Sequence, residues 1–300
     1  MPHQAEEVNT FVGPRNSPSP PNPPHQDITT MSSILPFPDG LAAQFEPYLP
    51  SSKANGLPSL TLTFATSLDS ALSLGPGIQT QLSGPLTKAM THHIRTFHSA
   101  ILVGASTAIS DDPGLNSRIQ GAKRQPIPIV LDPNARWNIT ESSRVVQTAK
   151  QGKGRAPFIL VNSKNIDDDV VVERRNMLQN YGGGYIGITV DDSGRFKWET
   201  ILSILKQELG IESLMVEGGG NVINSLLEDE ENKKLVDNVI VTIAPTWLGK
   251  GGVVVSPERK PNAKGEYTQP RLTNVKWIPM DEDVVLCGKL NASGTPHNNP

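Results

Sequence analysis

The sequence predicts a single α/β domain, a largely parallel sheet flanked by helices, and three observations carry that prediction. Apolar runs of strand length alternate along the chain with segments of helical periodicity. The stretch "SLMVEGGGNVINSLL" (213–227) passes from an apolar run through three glycines into apolar residues at helical spacing. Such a strand, turn and helix in sequence is the connection parallel strands require. The prolines are also uneven: 12 of the 26 fall within the first 58 residues, which leaves the remainder free to form regular elements.

Taken in order, residues 1–55 are Pro-rich, with Arg15 and Lys53 as their only basic residues, and are expected to be a disordered tail. No apolar run there has the length of a signal peptide or a membrane span, and a cytoplasmic location is expected. The body is expected to run from 56 to 291, with residues 292–300 frayed. "LTLTFATSLD" (60–69) alternates Leu60, Leu62 and Phe64 with Thr61 and Thr63 and reads as a strand. "SGPLTKAMTHHIRTF" reads as a helix, with Ser83 or Gly84 as cap, Pro85 in the first turn, and Leu86, Met90, Ile94 and Phe97 on one face. Residues 99–103, 126–132, 157–162 and 185–190 are short apolar strands, and "GASTAISDDPGLNSR" after the first of these is expected to be an irregular polar loop. "WETILSILKQELG" is a helix with Trp198, Ile201, Leu202, Leu205 and Leu209 on one face and Gly210 at its end. "LVDNVIVTIAP" and "DVVLCGKL" are the last strands.

A net charge of −3 gives no electrostatic basis for nucleic-acid binding. Cys287 is the only cysteine, so an internal disulfide and a Cys-rich zinc site are both excluded. His92 and His93 lie away from the apolar helix face with no spaced second ligand; they are expected to be solvated, and no metal is expected. "GGGYIG" (182–187) matches the spacing of a dinucleotide fingerprint, but its glycines precede a strand, so no helix N-terminus follows to hold a pyrophosphate. It is expected to be a flexible loop. The turn at 217–221 lacks that spacing but has the right context, a strand before it and a helix after it. By itself it fits a phosphate cradle or a tight turn without a ligand equally well. The polar loop after residue 103 offers Thr107, Asp111, Asp112, Asn116 and Arg118 at a strand's C-terminal end, where open sheets bind ligands; a plain surface loop would explain Asp112 and Pro113 but not the rest.

Together, "TFATSLDS", "LSGPLTKAMTHHIRTFHSAILVGASTAISDDPGLNSR" and "SLMVEGGGNVINSLL" resemble the stand-alone fungal and archaeal riboflavin-pathway reductases that act on 2,5-diamino-6-ribosylamino-pyrimidinone 5′-phosphate. The resemblance runs in the same order from about 60 to 290. It implies a dihydrofolate-reductase-like fold, NADPH as cofactor, a small pyrimidine ribosyl phosphate as substrate and a homodimer. It places Thr107, Asp111, Val190 and Gly218, Gly219, Gly220 and Asn221 at the cofactor. Arg95, Leu115, Arg118 and Glu217 would be at the substrate. A basic residue should meet the 2′-phosphate of NADPH, and Arg136, which follows the strand "IVLD", is the residue chosen for it. The implied reaction turns ribosylamino into ribitylamino by hydride transfer, with Glu217 and Asp69 as the carboxyl groups available for proton transfer. Two alternatives stand beside it: a pteridine or folate reductase on the same fold, and a non-catalytic NADPH-binding sensor.

Overall fold

In the computed structural model the described residues are 35–53, 55–228, 230–258, 260, 261, 265, 267 and 271–290. Helices are α1 (Asp39–Ala42), α2 (Pro85–Arg95), α3 (Ala105–Asp111), α4 (Arg144–Lys150), α5 (Asp169–Gln179), α6 (Trp198–Leu209), α7 (Gly220–Leu227) and α8 (Glu230–Lys233). Strands are β1 (Ser59–Thr66), β2 (Ala71–Ser73), β3 (Ala100–Gly104), β4 (Ile127–Leu131), β5 (Phe158–Asn162), β6 (Gly184–Ile188), β7 (Ser213–Gly218), β8 (Val236–Ile243), β9 (Val253–Val254), β10 (Leu272–Met280) and β11 (Asp283–Leu290). A nine-stranded sheet has the order β10-β11-β8-β1-β7-β3-β4-β5-β6, and β2 pairs separately with β9. Neighbours from β8 to β6 run parallel; β11 is antiparallel to β8, and β10 to β11.

Strand periodicity divides the core into two layers. On β3, Ile101 and Val103 join one cluster while Ala100 and Leu102 join the other. The first layer receives Met90 and Ile94 of α2, Val145 and Val146 of α4, and Val171 and Leu178 of α5. The second receives Trp198, Ile201, Leu202 and Leu205 of α6, and Val222, Ile223 and Leu226 of α7. With helices on both faces, the threonines of β1 are buried as well. Thr61 is fully buried and is bonded through Oγ1 to His98 Nε2 at 2.9 Å, while His98 Nδ1 lies 2.9 Å from Ile94 O.

The structure corrects several expectations. The ordered body begins at least at residue 35: Phe45 and Tyr48 are buried, so residues 35–53 are not part of a disordered tail. Residues 1–34 and 54 of that tail, and the segment 292–300 expected to fray, lie outside the described residues. The stretch after β3 starts as helix α3, because Ala105 and Ala108, one turn apart, are both buried and anchor a sequence otherwise rich in turn-formers. Asp112 then closes it in the left-handed conformation. "GGGYIG" is no flexible loop. A Cβ at Gly183 would stand 2.4 Å from the carbonyl oxygen of Pro157, so the glycine lets β6 approach the chain that enters β5. Phe97 lies past the end of α2 and is exposed rather than in the core.

Candidate active site

A cleft of about 2050 Å³ opens at the C-terminal ends of β1, β3, β4 and β7. There the chain order turns back on itself, since β7 lies between β1 and β3. The glycine turn forms its floor. Gly219 has φ of 86°, a conformation that side chains resist, and its carbonyl accepts the Val222 and Ile223 N–H groups at 2.9 and 3.0 Å. The first-turn N–H groups of Gly220 and Asn221 therefore have no acceptor within the helix. A Cβ at Gly218 would meet nothing within 4 Å, so the backbone there lies open to the cleft. Helix α3 starts alongside: a Cβ on Gly219 would come within 3.7 Å of Gly104 Cα and 3.4 Å of Thr107 Oγ1. Two helix starts and an unobstructed glycine make a cradle suited to a pyrophosphate.

Helix α2 presents Lys88, Thr91, His92 and Arg95 to the same cleft, a stripe at i, i+3, i+4 and i+7. Arg95 forks onto Glu217, with Nε donating to Oε1 at 2.7 Å and Nη2 to Oε2 at 2.5 Å, and its Nη1 donates to Asn116 O at 2.8 Å. His92 is buried, not solvated as expected, because the segment carrying Arg118 folds over it. Burial, and then the nearby Arg95 and Arg118 charges, pull its pKa down to about 3. Lys88 and Arg118 make no ion pair among the described residues. Burial and then Arg118 lower the pKa of Lys88; burial, then Arg144 and Arg95, lower that of Arg118. Cations crowded together without counter-charges favour an anionic ligand.

The structure thus gathers Arg95, Thr107, Asp111, Arg118, Arg136, Glu217, Gly218, Gly219, Gly220 and Asn221 around one cleft. Asp69, Leu115 and Val190 do not line it. Leu115 is buried in the core with φ of 45°, and its side chain packs there rather than on the cleft wall. Val190 lies beyond the end of β6 and packs on the second core layer, while Asp191 and Ser193 to Glu199 reach the cleft. Asp69 is a loop clamp. Its carboxylate accepts from Ser67 Oγ at 2.5 Å, Leu248 N–H at 3.1 Å and Gly249 N–H at 2.8 Å. Those hydrogen bonds, Ser67 first, hold its pKa at about 2, so it has no proton to give near neutrality. Sequence reasoning missed Lys88. Its signal was the polar stripe opposite the apolar face of α2, legible at the same helical spacing.

The model of the RibD C-terminal domain family matches residues 58–286. The chain is 39% identical over 268 residues to the 2,5-diamino-6-ribosylamino-4(3H)-pyrimidinone 5′-phosphate reductase of Debaryomyces hansenii, covering 86% of this chain and 99% of that one. To the Saccharomyces cerevisiae protein of the same name it is 34% identical over 264 residues, covering 86% and 98%. The solved structure of a Saccharomyces cerevisiae riboflavin biosynthesis reductase superposes with a TM-score of 0.66 at 32% identity, over 84% of this chain and 99% of that one. Acinetobacter baumannii RibD shares the fold, with a TM-score of 0.62 at 20% identity over 79% of this chain and 59% of that one. The chain belongs to the RibD C-terminal domain family and, within it, to the fungal 2,5-diamino-6-ribosylamino-4(3H)-pyrimidinone 5′-phosphate reductases.

Proposed function

We propose that the chain reduces the ribosylamino group of 2,5-diamino-6-ribosylamino-4(3H)-pyrimidinone 5′-phosphate to ribitylamino, with NADPH as the reductant. One observation carries this: a cradle fit for a pyrophosphate and a cluster of unpaired cations share one cleft, with the Arg95–Glu217 pair between them. The cradle at Gly218 to Asn221, with Thr107 beside it, would hold the cofactor; Asp111 lines the same wall. Arg136 is half exposed, donates to Ser106 Oγ of α3 at 3.5 Å and lies 3.8 Å from Asp132, and it would be the cation that meets a 2′-phosphate. Arg118 and Lys88 would hold the substrate's phosphate.

Bound in the cradle, NADPH would supply a hydride to C1′ of the C1′=N bond in the ring-opened ribosylamino group, and the nitrogen would take up a proton, so that NADPH and one proton are consumed per turnover. The protein's own part is to align the two reactants and exclude water. Glu217 immediately precedes the cradle, and its carboxylate is oriented by Arg95, so it suits acceptance from the sugar hydroxyls. Both its oxygens are taken by Arg95, which favours positioning over proton donation.

The cation cluster favours this reading over a pteridine or folate reductase, whose substrates carry no phosphate ester. The homodimer is part of the proposal. Edge strand β10 exposes Val275 and Trp277 to 45% and 56%, and Trp277 faces the partly buried Leu286 across the ladder, an apolar surface that a second copy would cover.

The test follows loss of nicotinamide absorbance with the pyrimidine ribosyl phosphate, its dephosphorylated form, and dihydrofolate. Turnover of the phosphate ester, at a kcat/KM at least tenfold above that of its dephosphorylated form, is expected. Oxidation driven by dihydrofolate instead would overturn the assignment, and tight NADPH binding without turnover of any of the three would leave a sensor.

A further inference from the structure

The family match begins at residue 58, yet the segment before it packs directly on the residues that carry Arg118. Leu35 and Ile119 form an isolated parallel bridge: Leu35 N–H donates to Arg118 O at 2.9 Å, and Gln120 N–H donates to Leu35 O at 3.1 Å. Phe37 stacks against His93, with ring centroids 5.0 Å apart, and lies 6.2 Å from Phe45. Phe45 and Tyr48 are buried, and Tyr48 Oη donates to Asn274 O at 2.6 Å, which ties the far end of the segment to β10.

Helix α2 grips the same residue from the other side. Arg118 N–H donates to His92 Nδ1 at 3.1 Å, and Ser117 Oγ donates to His92 O at 2.6 Å. The carbonyl of Arg118 is thus held by the N-terminal segment, and its N–H by the residue next to the one on which Phe37 stacks.

The His92 ring also lies against the Arg118 side chain, with guanidinium Nε and Nη2 at 3.3 and 3.1 Å from Nε2, so its two nitrogens contact both the backbone and the side chain of Arg118. That guanidinium makes no ion pair among the described residues.

We infer that residues 35–49 are a positioning arm for the substrate: they fix the backbone at Arg118 so that its guanidinium meets the phosphate. None of residues 35–49 lines the cleft. This inference rests on the reading that Arg118 binds the substrate's phosphate.

Leu35→Pro in the full-length protein removes the N–H that Arg118 O accepts, while Leu35→Ala keeps it. Leu35→Pro is expected to raise KM for the phosphate substrate by about fivefold to tenfold, with kcat and the Kd for NADPH unchanged; Leu35→Ala should match the parent. In an Arg118→Ala background, Leu35→Pro should add nothing further. An unchanged KM in Leu35→Pro, or an equal rise with and without Arg118, would overturn the arm's role. If Arg118→Ala alone leaves KM unchanged, the phosphate reading fails first. If Leu35→Pro does not fold, Phe37→Ala loosens the arm from His93 without removing a backbone donor. The same rise in KM is then expected, and its absence would be decisive against the arm.

Discussion

Arg95 engages both carboxylate oxygens of Glu217, a planar two-point pair whose side chains are only 14% and 10% exposed. Removing one member leaves the other in a poorly solvated cleft wall. Arg95→Met is expected to lower unfolding free energy by about 3 kcal/mol in urea titrations. Glu217→Gln keeps an acceptor for Arg95 and should cost less. If Glu217 positions the substrate, Glu217→Gln lowers kcat at least tenfold while the Kd for NADPH holds; an unchanged kcat would remove Glu217 from the reaction.

The glycine turn offers a clean variant at Gly218. A side chain there enters open space, whereas Gly219 is constrained by its positive φ and Gly220 by Val253, 2.4 Å from the built Cβ. Gly218→Val is expected to leave the thermal midpoint near the parent's. NADPH affinity, read by fluorescence titration, should fall at least tenfold, about 1.4 kcal/mol. Gly183→Val, in the other glycine cluster, should instead destabilise the fold, because the new Cβ meets the Pro157 carbonyl.

Acid sensitivity should come from buried histidines. Burial lowers the pKa of His98 to about 4, below its ordinary 6.5. The unfolded chain takes up this proton first, so stability is full above about 6.5 and is lost as pH falls toward 4. The loss for His98 amounts to about 3 kcal/mol at the bottom of that window, and His92, with its pKa at about 3, acts in the same direction. His98→Gln retains an acceptor for Thr61 and should flatten the slope of urea-derived stability against pH between 6.5 and 4; an unchanged slope would exclude His98 as its source.

Truncation should separate the two parts of the N-terminal region. Deleting residues 1–33 is expected to leave the thermal midpoint and kcat unchanged, in keeping with their Pro-rich composition. Deleting residues 1–50 removes Phe45 and Tyr48 from the core and should cost about 3 kcal/mol or more.

What the sequence made legible was local. Helix α6 shows its four buried apolar residues at helical spacing and ends on Gly210 in the left-handed conformation, all within one window. The glycine turn likewise announces itself by the strand before it and the helix after it. Features set by distant partners were hidden. Asp69 looks like a free carboxylate in the sequence because the amides that bind it lie 179 and 180 residues away. His92 sits on the polar side of α2, and that side is covered only by the folded-back segment around Arg118. Helix α3 is built from serine, threonine and aspartate around two small anchors, so neither propensity nor an apolar stripe marks it. Strand β10 carries no clear strand pattern in the sequence because, at the sheet's edge, its exposed residues interrupt the apolar alternation.

The place of β7 between β1 and β3 has a consequence for how the chain is made. Strand β1, residues 59–66, has β7 on one side and β8 on the other, so both its partners come from residue 213 onward. During synthesis β1 leaves the ribosome early and stays unpaired until most of the chain has followed. Such long loop closures slow folding and leave an apolar strand edge open to mispairing in the meantime. The cradle at the end of β7 completes at the same late moment. A ligand held by that cradle can therefore stabilise the nascent chain only once β7 has filled the gap between β1 and β3, while β8, β11 and β10 are still to come.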